Sequence, residues 1–206
     1  MNQEINDKLK QIKQSFRLMM NGEASRSMRQ RGVDYKLNWG VPVPMLKDMA
    51  KEYGKDYALA IELWKEDIRE CKILAILIMP ADEMPPEIVD IWMEQTKNQE
   101  LAEIGALYLY QYLDYAPVIA YEWIAKNAPI YQICGYQILA RLFMNGQEPN
   151  ERGINEFLDQ ASVDLLSDNS GVRHAVLSCV GKFVQLGDDY EIIARNALKP
   201  LNLNIF

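Results

Sequence analysis

The sequence predicts an all-α fold, a right-handed α-solenoid of stacked antiparallel helix pairs, and three observations lead to it. Apolar residues recur at helical spacing along nearly the whole chain. Each such stretch is closed by Pro, Gly, Asn or Asp, the residues that punctuate helices. No segment shows the strict alternation of a half-buried strand. Composition agrees, with 49% hydrophobic residues in a chain of 206 and 25% charged residues, the ordinary balance of a globular protein.

From the start, Ile5, Leu9, Ile12, Phe16 and Met19–Met20 mark a helix over residues 2–20. Residues 24–31 form a short cationic segment, and 32–41 are irregular. Pro42 opens the next helix, at a position where its missing N–H costs little. Met45, Leu46, Met49, Ala50 and Tyr53 give that helix its apolar face, and Gly54 ends it. Helices are then expected over 57–64, 70–79 (stopped by Pro80), 85–95 (behind a Pro pair), 100–113, 117–126, 129–144, 150–166, 171–186 and 188–198.

Stretches 63–78, 123–143 and 165–184 share one layout: a helix, a short polar turn, then a helix in which small residues interleave with apolar ones. Glu70 to Leu77, Ile133 to Ala140 and Val172 to Gly181 are the second helices, and Leu101 to Leu107 repeats the pattern between the first two. Small residues let such helices pack closely in a stack, the HEAT-type arrangement. Inner helices near 70–79, 100–113, 131–143 and 172–186 should line one curved side. The repeat is degenerate and leaves a compact helical bundle as the alternative. One domain is expected over 1–206, with N-terminal helices and loop at 1–41 and helical repeats at 42–206.

Charge divides unevenly. Residues 1–55 hold 11 Lys+Arg against 6 Asp+Glu, net +5, whereas residues 56–206 hold 11 against 23, net −12. Binding to duplex DNA needs cationic side chains to displace phosphate counterions, so only the first quarter suits it. No apolar run approaches the ~18 residues that span a membrane, and Met1 to Lys13 is too polar for a secretory leader. Cys71, Cys134 and Cys179 lie far apart and read as buried free thiols in the cytoplasm. His174 is the single histidine, which excludes a multi-histidine metal site, and no phosphate loop, dinucleotide fingerprint or nucleophile elbow is present. Neither a metal nor a cofactor is expected. Tyr108, Tyr110, Tyr112 and Tyr115 fall on or just past one helix. As a helix, 108, 112 and 115 share a face, for core packing or for stacking on a ligand.

The stretch Gly40-Val41-Pro42-Val43-Pro44-Met45-Leu46-Lys47-Asp48-Met49-Ala50-Lys51 resembles the opening motif of the AlkD-like DNA glycosylases, the HEAT-like-repeat enzymes of DNA alkylation repair. The likeness continues through Leu63-Trp64, the 70–78 helix, the 98–107 helix and Val172-Arg173-His174-Ala175. It implies a C-shaped solenoid whose basic concave face holds duplex DNA and excises cationic N-alkylated purines without flipping them into a pocket. Such a base is already a good leaving group, so the chemistry needs no general acid. It needs a carboxylate beside the developing oxocarbenium ion, and aromatic faces beside the cation. The resemblance supplies a Trp and an Asp four apart on one helix, an Arg on a later inner helix and a second Trp on a still later one.

In this chain the Trp/Asp pair falls on Gln99 and Glu103, the Arg-bearing helix has no Arg before Arg141, and the second Trp falls near Ser178. Glu103 is the remaining catalytic candidate. Trp39, Gln99, Tyr136, Arg141, Arg173 and Ser178 are candidates for the concave face. Arg17, Arg26, Arg29, Arg31, Lys36, Lys47 and Lys51 are the candidate DNA contacts. The expectation is a monomeric, divergent member of that family with weakened or lost excision and weak, salt-sensitive duplex binding. A noncatalytic scaffold holding a protein partner on the concave face is the alternative.

Overall fold

The computed structural model describes residues 3–202; residues 1–2 and 203–206, the ends of the expected 1–206 domain, lie outside the described residues. Twelve α-helices follow one another among the described residues: α1 (Gln3–Leu18), α2 (Gly22–Gln30), α3 (Val43–Tyr53), α4 (Tyr57–Lys65), α5 (Arg69–Ile78), α6 (Pro86–Glu94), α7 (Gln99–Tyr108), α8 (Ala116–Ile124), α9 (Pro129–Met144), α10 (Glu151–Asp164), α11 (Ser170–Phe183) and α12 (Asp188–Leu198). The only extended pairing described is an isolated bridge between Leu37 and Ile68. The all-α expectation holds. None of the described helices is long and apolar enough to cross a membrane.

The punctuation acts as its chemistry requires. Asn21, Asp56, Asn98, Asn150 and Asn169 each accept a hydrogen bond from a first-turn N–H of the helix that follows. Proline stands in the first turn of α3, α6, α8 and α9, where no donor is lost.

The chain forms two compact units, Met1–Leu109 and Tyr110–Phe206. In the first, α5 packs on α3, α4 and α7, and nine of its ten residues are buried. Trp64 and Trp92 stack face to face, centroids 4.1 Å apart and planes within 4°. The Trp64 Nε1 donates to Gln95 Oε1 at 2.8 Å. The Lys72 ammonium lies 4.3 Å from the centroid of the Trp64 ring and donates to the Trp64 carbonyl oxygen. In the second unit, α9 packs between α8 and α11. A Cβ on Gly135 would sit 2.8 Å from the Ala120 carbonyl oxygen, so a small residue is what lets α9 approach α8 this closely. Phe143, Phe157 and Phe183 pack together edge-on or tilted, centroids 5.1–5.5 Å apart. The buried Asp164 carboxylate accepts from Gln132, Tyr136 and Gln160, pinning α9 to α10.

Three expectations are corrected. The helix over 100–113 stops at Tyr108: Leu109 leaves the helical region (φ −138°, ψ −63°), and a 3-10 turn follows at Tyr110–Tyr112. That break sends Tyr110 into the core, edge-on to Trp123 at 5.6 Å, and leaves Tyr112 exposed. The tyrosines therefore share no helical face. The helix over 171–186 likewise ends at Phe183 and continues as a 3-10 turn. The first helix ends at Leu18; its buried face is Leu9, Ile12 and Phe16, while Met20 lies beyond it in the open.

All three cysteines are buried free thiols. Burial pushes the Cys71 thiol up to about 12 and the Cys179 thiol well above its ordinary value. It also raises the phenols of Tyr35 (to about 12), Tyr110, Tyr121 and Tyr136. The folded chain keeps these protons while the unfolded chain sheds them from about pH 8.5 for thiols and about 10 for phenols. Their stabilising contribution is complete below those values and is lost as pH rises toward the folded ones. Lys72 acts in the opposite sense: burial lowers its pKa to about 8, so this group favours folding as pH rises through about 8 to 10.4. The acids outnumber it. The urea midpoint should fall between pH 8 and pH 10.5, and a midpoint that holds or rises would refute this accounting.

Candidate functional site

The loop from Arg31 to Pro42 is tied at both ends of its last turn. Asn21 N donates to Trp39 O at 2.8 Å, Ser25 Oγ to Asn38 O at 2.7 Å, and Gly40 N to the Asn38 side-chain oxygen at 2.8 Å. Gly40 sits at φ +72°, and a Cβ there would lie 2.3 Å from Asn21 O and 2.7 Å from Ser25 N. Only glycine tolerates both the conformation and the contact.

Beneath the loop, two adjacent charges open α5. Glu70, fully buried, accepts from Trp39 N and Val41 N at 3.2 Å each. Arg69, 1% exposed, grips Glu100 of α7 with two bonds, 2.8 and 2.6 Å, and donates to Val41 O at 2.9 Å and Glu70 Oε1 at 3.3 Å. Burial opposes the Arg69 charge, but the bonds and charge of Glu100, with Glu70, outweigh it and hold its pKa above the ordinary value. The Gly40–Lys51 motif thus has a structural reading: a glycine that permits the approach, two N–H groups that hold Glu70, and a proline that launches α3.

This clamp positions α1, α2 and α3, whose surface is cationic. Every candidate contact is exposed: Arg17 in the last turn of α1, Arg26 and Arg29 on α2, Arg31 at its end, Lys36 in the loop, and Lys47 and Lys51 one turn apart on α3. Arg29 and Arg31 donate to the neutral hydroxyls of Ser25 and Ser27, which leaves their charge uncompensated. Arg17, Arg26 and Lys36 have no ion pair among the described residues. Lys51 meets Asp48 at 2.7 Å, but both are exposed and such a pair holds weakly.

Lys47 lies over the Tyr108 ring, 4.9 Å from its centroid, in a shallow cleft lined by Val43, Pro44, Lys47, Asp48, Lys51 and Tyr108. Lys55 continues the lysine row and donates to the carbonyls of Leu77 and Met79 at the end of α5. The sequence singled out neither Lys55 nor the pairing of Lys47 with Tyr108. The i, i+4, i+8 spacing of the three lysines was the available signal.

The catalytic candidate lies on α7. Gln99 Nε2 donates to Glu103 Oε1 at 2.7 Å, so the structure brings these two together with a neutral amide against the carboxylate. Trp39 is half-buried, 5.7 Å from Phe16 ring to ring. In the second unit Arg141 is half-buried with Nη1 3.9 Å from Met144 Sδ. Arg173 is exposed and donates to the Ser167 carbonyl, and Ser178 is exposed on α11. Tyr136 is a correction: it is fully buried, and its hydroxyl is spent on Asp164 at 2.7 Å. A core tyrosine so held offers no surface to a ligand.

The family model described as DNA alkylation repair enzyme matches residues 12–152, which include the loop clamp, the lysine row and the Gln99–Glu103 pair. No protein of curated function matches the sequence. A solved structure described as belonging to a new family of proteins related to the HEAT-like repeat DNA glycosylases, with affinity for branched DNA structures, superposes with a TM-score of 0.79. Identity is 17%, and the match covers 92% of this chain and 82% of that one. That likeness establishes a HEAT-like helix-pair fold.

Proposed function

The chain belongs to the DNA alkylation repair enzyme family, and from that membership we propose that it binds DNA through the cationic surface of α1–α3, with excision of alkylated bases lost or greatly weakened. The observation that carries the reading is the set of seven exposed cations Arg17, Arg26, Arg29, Arg31, Lys36, Lys47 and Lys51, on α1–α3 and the loop that the Arg69–Glu70–Glu100 clamp holds in place. The solved structure with the same fold comes from a family with affinity for branched DNA structures, and a similar ligand is proposed here. The proposed setting is the cytoplasm, where buried thiols stay reduced.

Phosphate contacts of this kind bind without sequence preference and weaken as salt rises. With seven contacts, log K should fall against log salt with a slope of about −6. Reversing Arg26, Arg29 and Arg31 to Glu should reduce the slope by about 3 and weaken binding at every salt concentration. Fluorescence anisotropy with a labelled duplex from 25 to 200 mM salt (~ range over which such terms dominate) reads both. Tight binding at high salt, or binding that ignores the reversal, would overturn the reading. The acidic balance of residues 56–206, net −12, favours the second reading, a scaffold for a protein partner.

A further inference from the structure

We propose that the turn between α1 and α2 is a wedge: Leu18 and Met20, beside Arg17, insert against the base faces exposed where duplex DNA is nicked or branched. This rests on the DNA-binding reading above and specifies what form of DNA the site prefers.

Leu18 is 89% exposed and Met20 63% exposed, one at the last residue of α1 and the other just before α2. They are not stray core residues, because the core-facing side of α1 is already filled by Leu9, Ile12 and Phe16. Single exposed apolar side chains are common and need no explanation. Two on one turn are a different matter when the turn is held rigidly and flanked by unpaired cations. The support comes from both sides. Phe16, two residues before the tip, packs on Trp39, and Asn21, directly after it, bonds to Trp39 O through its N–H and caps α2 through its side chain. The close approach that Gly40 allows brings the loop backbone against Asn21. The tip therefore presents two apolar side chains on a fixed base, with Arg17 adjoining and Arg26 and Arg29 on the helix that follows.

DNA is the occupant that this combination fits. Cations neutralise the phosphates on either side, and an apolar tip needs a desolvated flat surface, which a base face supplies. In an intact duplex that face is available only after unstacking. At a nick or a branch it is already partly open, so the wedge gains its contact without that cost. The consequence is preference for interrupted DNA with no base-specific contact.

The test uses the full chain and the double variant Leu18→Ala/Met20→Ala. Both side chains are exposed, so the fold should persist, and an unchanged far-UV circular dichroism spectrum checks this. The probes are an intact duplex, the same duplex nicked, and a three-way junction, each carrying 2-aminopurine at the interruption or its equivalent position. Wild type should bind the interrupted probes at least about tenfold more tightly than the intact one and brighten the 2-aminopurine as it unstacks. The variant should keep intact-duplex affinity within about twofold while losing both the preference and the brightening.

A variant that keeps both overturns the wedge. So does wild-type binding that treats all three probes alike, which leaves DNA binding by the cationic helices standing but removes the branched-DNA ligand proposed for them. Wild type that binds none of the probes overturns both. Anionic phosphatidylglycerol vesicles provide the remaining arm, because an apolar tip among cations also suits a lipid surface. Vesicle binding lost in the variant, with no brightening on DNA, assigns the tip to lipid and overturns the proposal.

Discussion

Replacing Arg69 with Ala should lower the unfolding free energy by about 3–5 kcal/mol, the usual cost of removing one partner from a buried ion pair. The side chain is 1% exposed and satisfies Glu100, Glu70 and the Val41 carbonyl together. Its removal leaves Glu70 fully buried with only two backbone N–H donors against its charge, and opens a cavity between the loop, α5 and α7. Arg69→Lys should fall between, since an ammonium keeps the charge but cannot fork onto Glu100 through two parallel bonds. Urea denaturation followed by far-UV circular dichroism measures both. A loss below about 1 kcal/mol for Arg69→Ala would show the triad to be no stronger than a surface pair.

Release of 7-methylguanine or 3-methyladenine from duplex DNA should be slow or absent. An aromatic face beside a cationic base contributes about 0.5–2 kcal/mol, and Gln99 offers none. A lost electrostatic stabiliser of the transition state costs about 3 kcal/mol more, and a carboxylate displaced by about 1 Å costs on the order of a hundredfold. These terms do not add strictly, but they share a sign, and together they place the rate at least about a thousandfold below that of a site with all its groups. The Gln99 amide already occupies one Glu103 oxygen at 2.7 Å. Single-turnover excision by wild type beside Glu103→Gln is the measurement. Robust release by wild type that collapses in the variant would identify Glu103 as a working catalytic group and sink the expectation of a silent site.

The helices were legible because each start and stop carries a residue with a local reason to be there. Asn150 and Pro129 announce α10 and α9 without reference to anything distant. The places that escaped are those decided by tertiary contact. Leu109 has an ordinary helical side chain, and it breaks α7 because the chain must turn Tyr110 inward against Trp123. Met20 keeps the apolar spacing of α1, yet the Asn21 cap starts a new helix and strands it outside.

The site divided along the same line. The exposed cations could be read from charge alone, because a basic run in an otherwise acidic chain stands out. Arg69, Glu70 and Glu100 could not, because charges at helix starts resemble solvated ones until the loop that covers them is seen. Tyr136 misled in the other direction: its hydroxyl suggests a surface, and only Asp164 on a separate helix explains why it is buried.

The face-to-face stack of Trp64 and Trp92 makes the first unit optically distinctive. Two near-parallel indoles with centroids 4.1 Å apart share their excited states, and an ammonium 4.3 Å from one ring shifts the energy of that partner alone. The coupling depends on the packing of α4, α5 and α6, so it vanishes as soon as that packing loosens. Trp123, edge-on to Tyr110 and Tyr131, has no indole neighbour among the described residues and emits as an isolated chromophore. The first unit thus holds a coupled indole pair beside a separate Trp39, packed on Phe16, while the second holds Trp123 alone, so loss of the coupling reports loosening of α4, α5 and α6 apart from melting of the second unit.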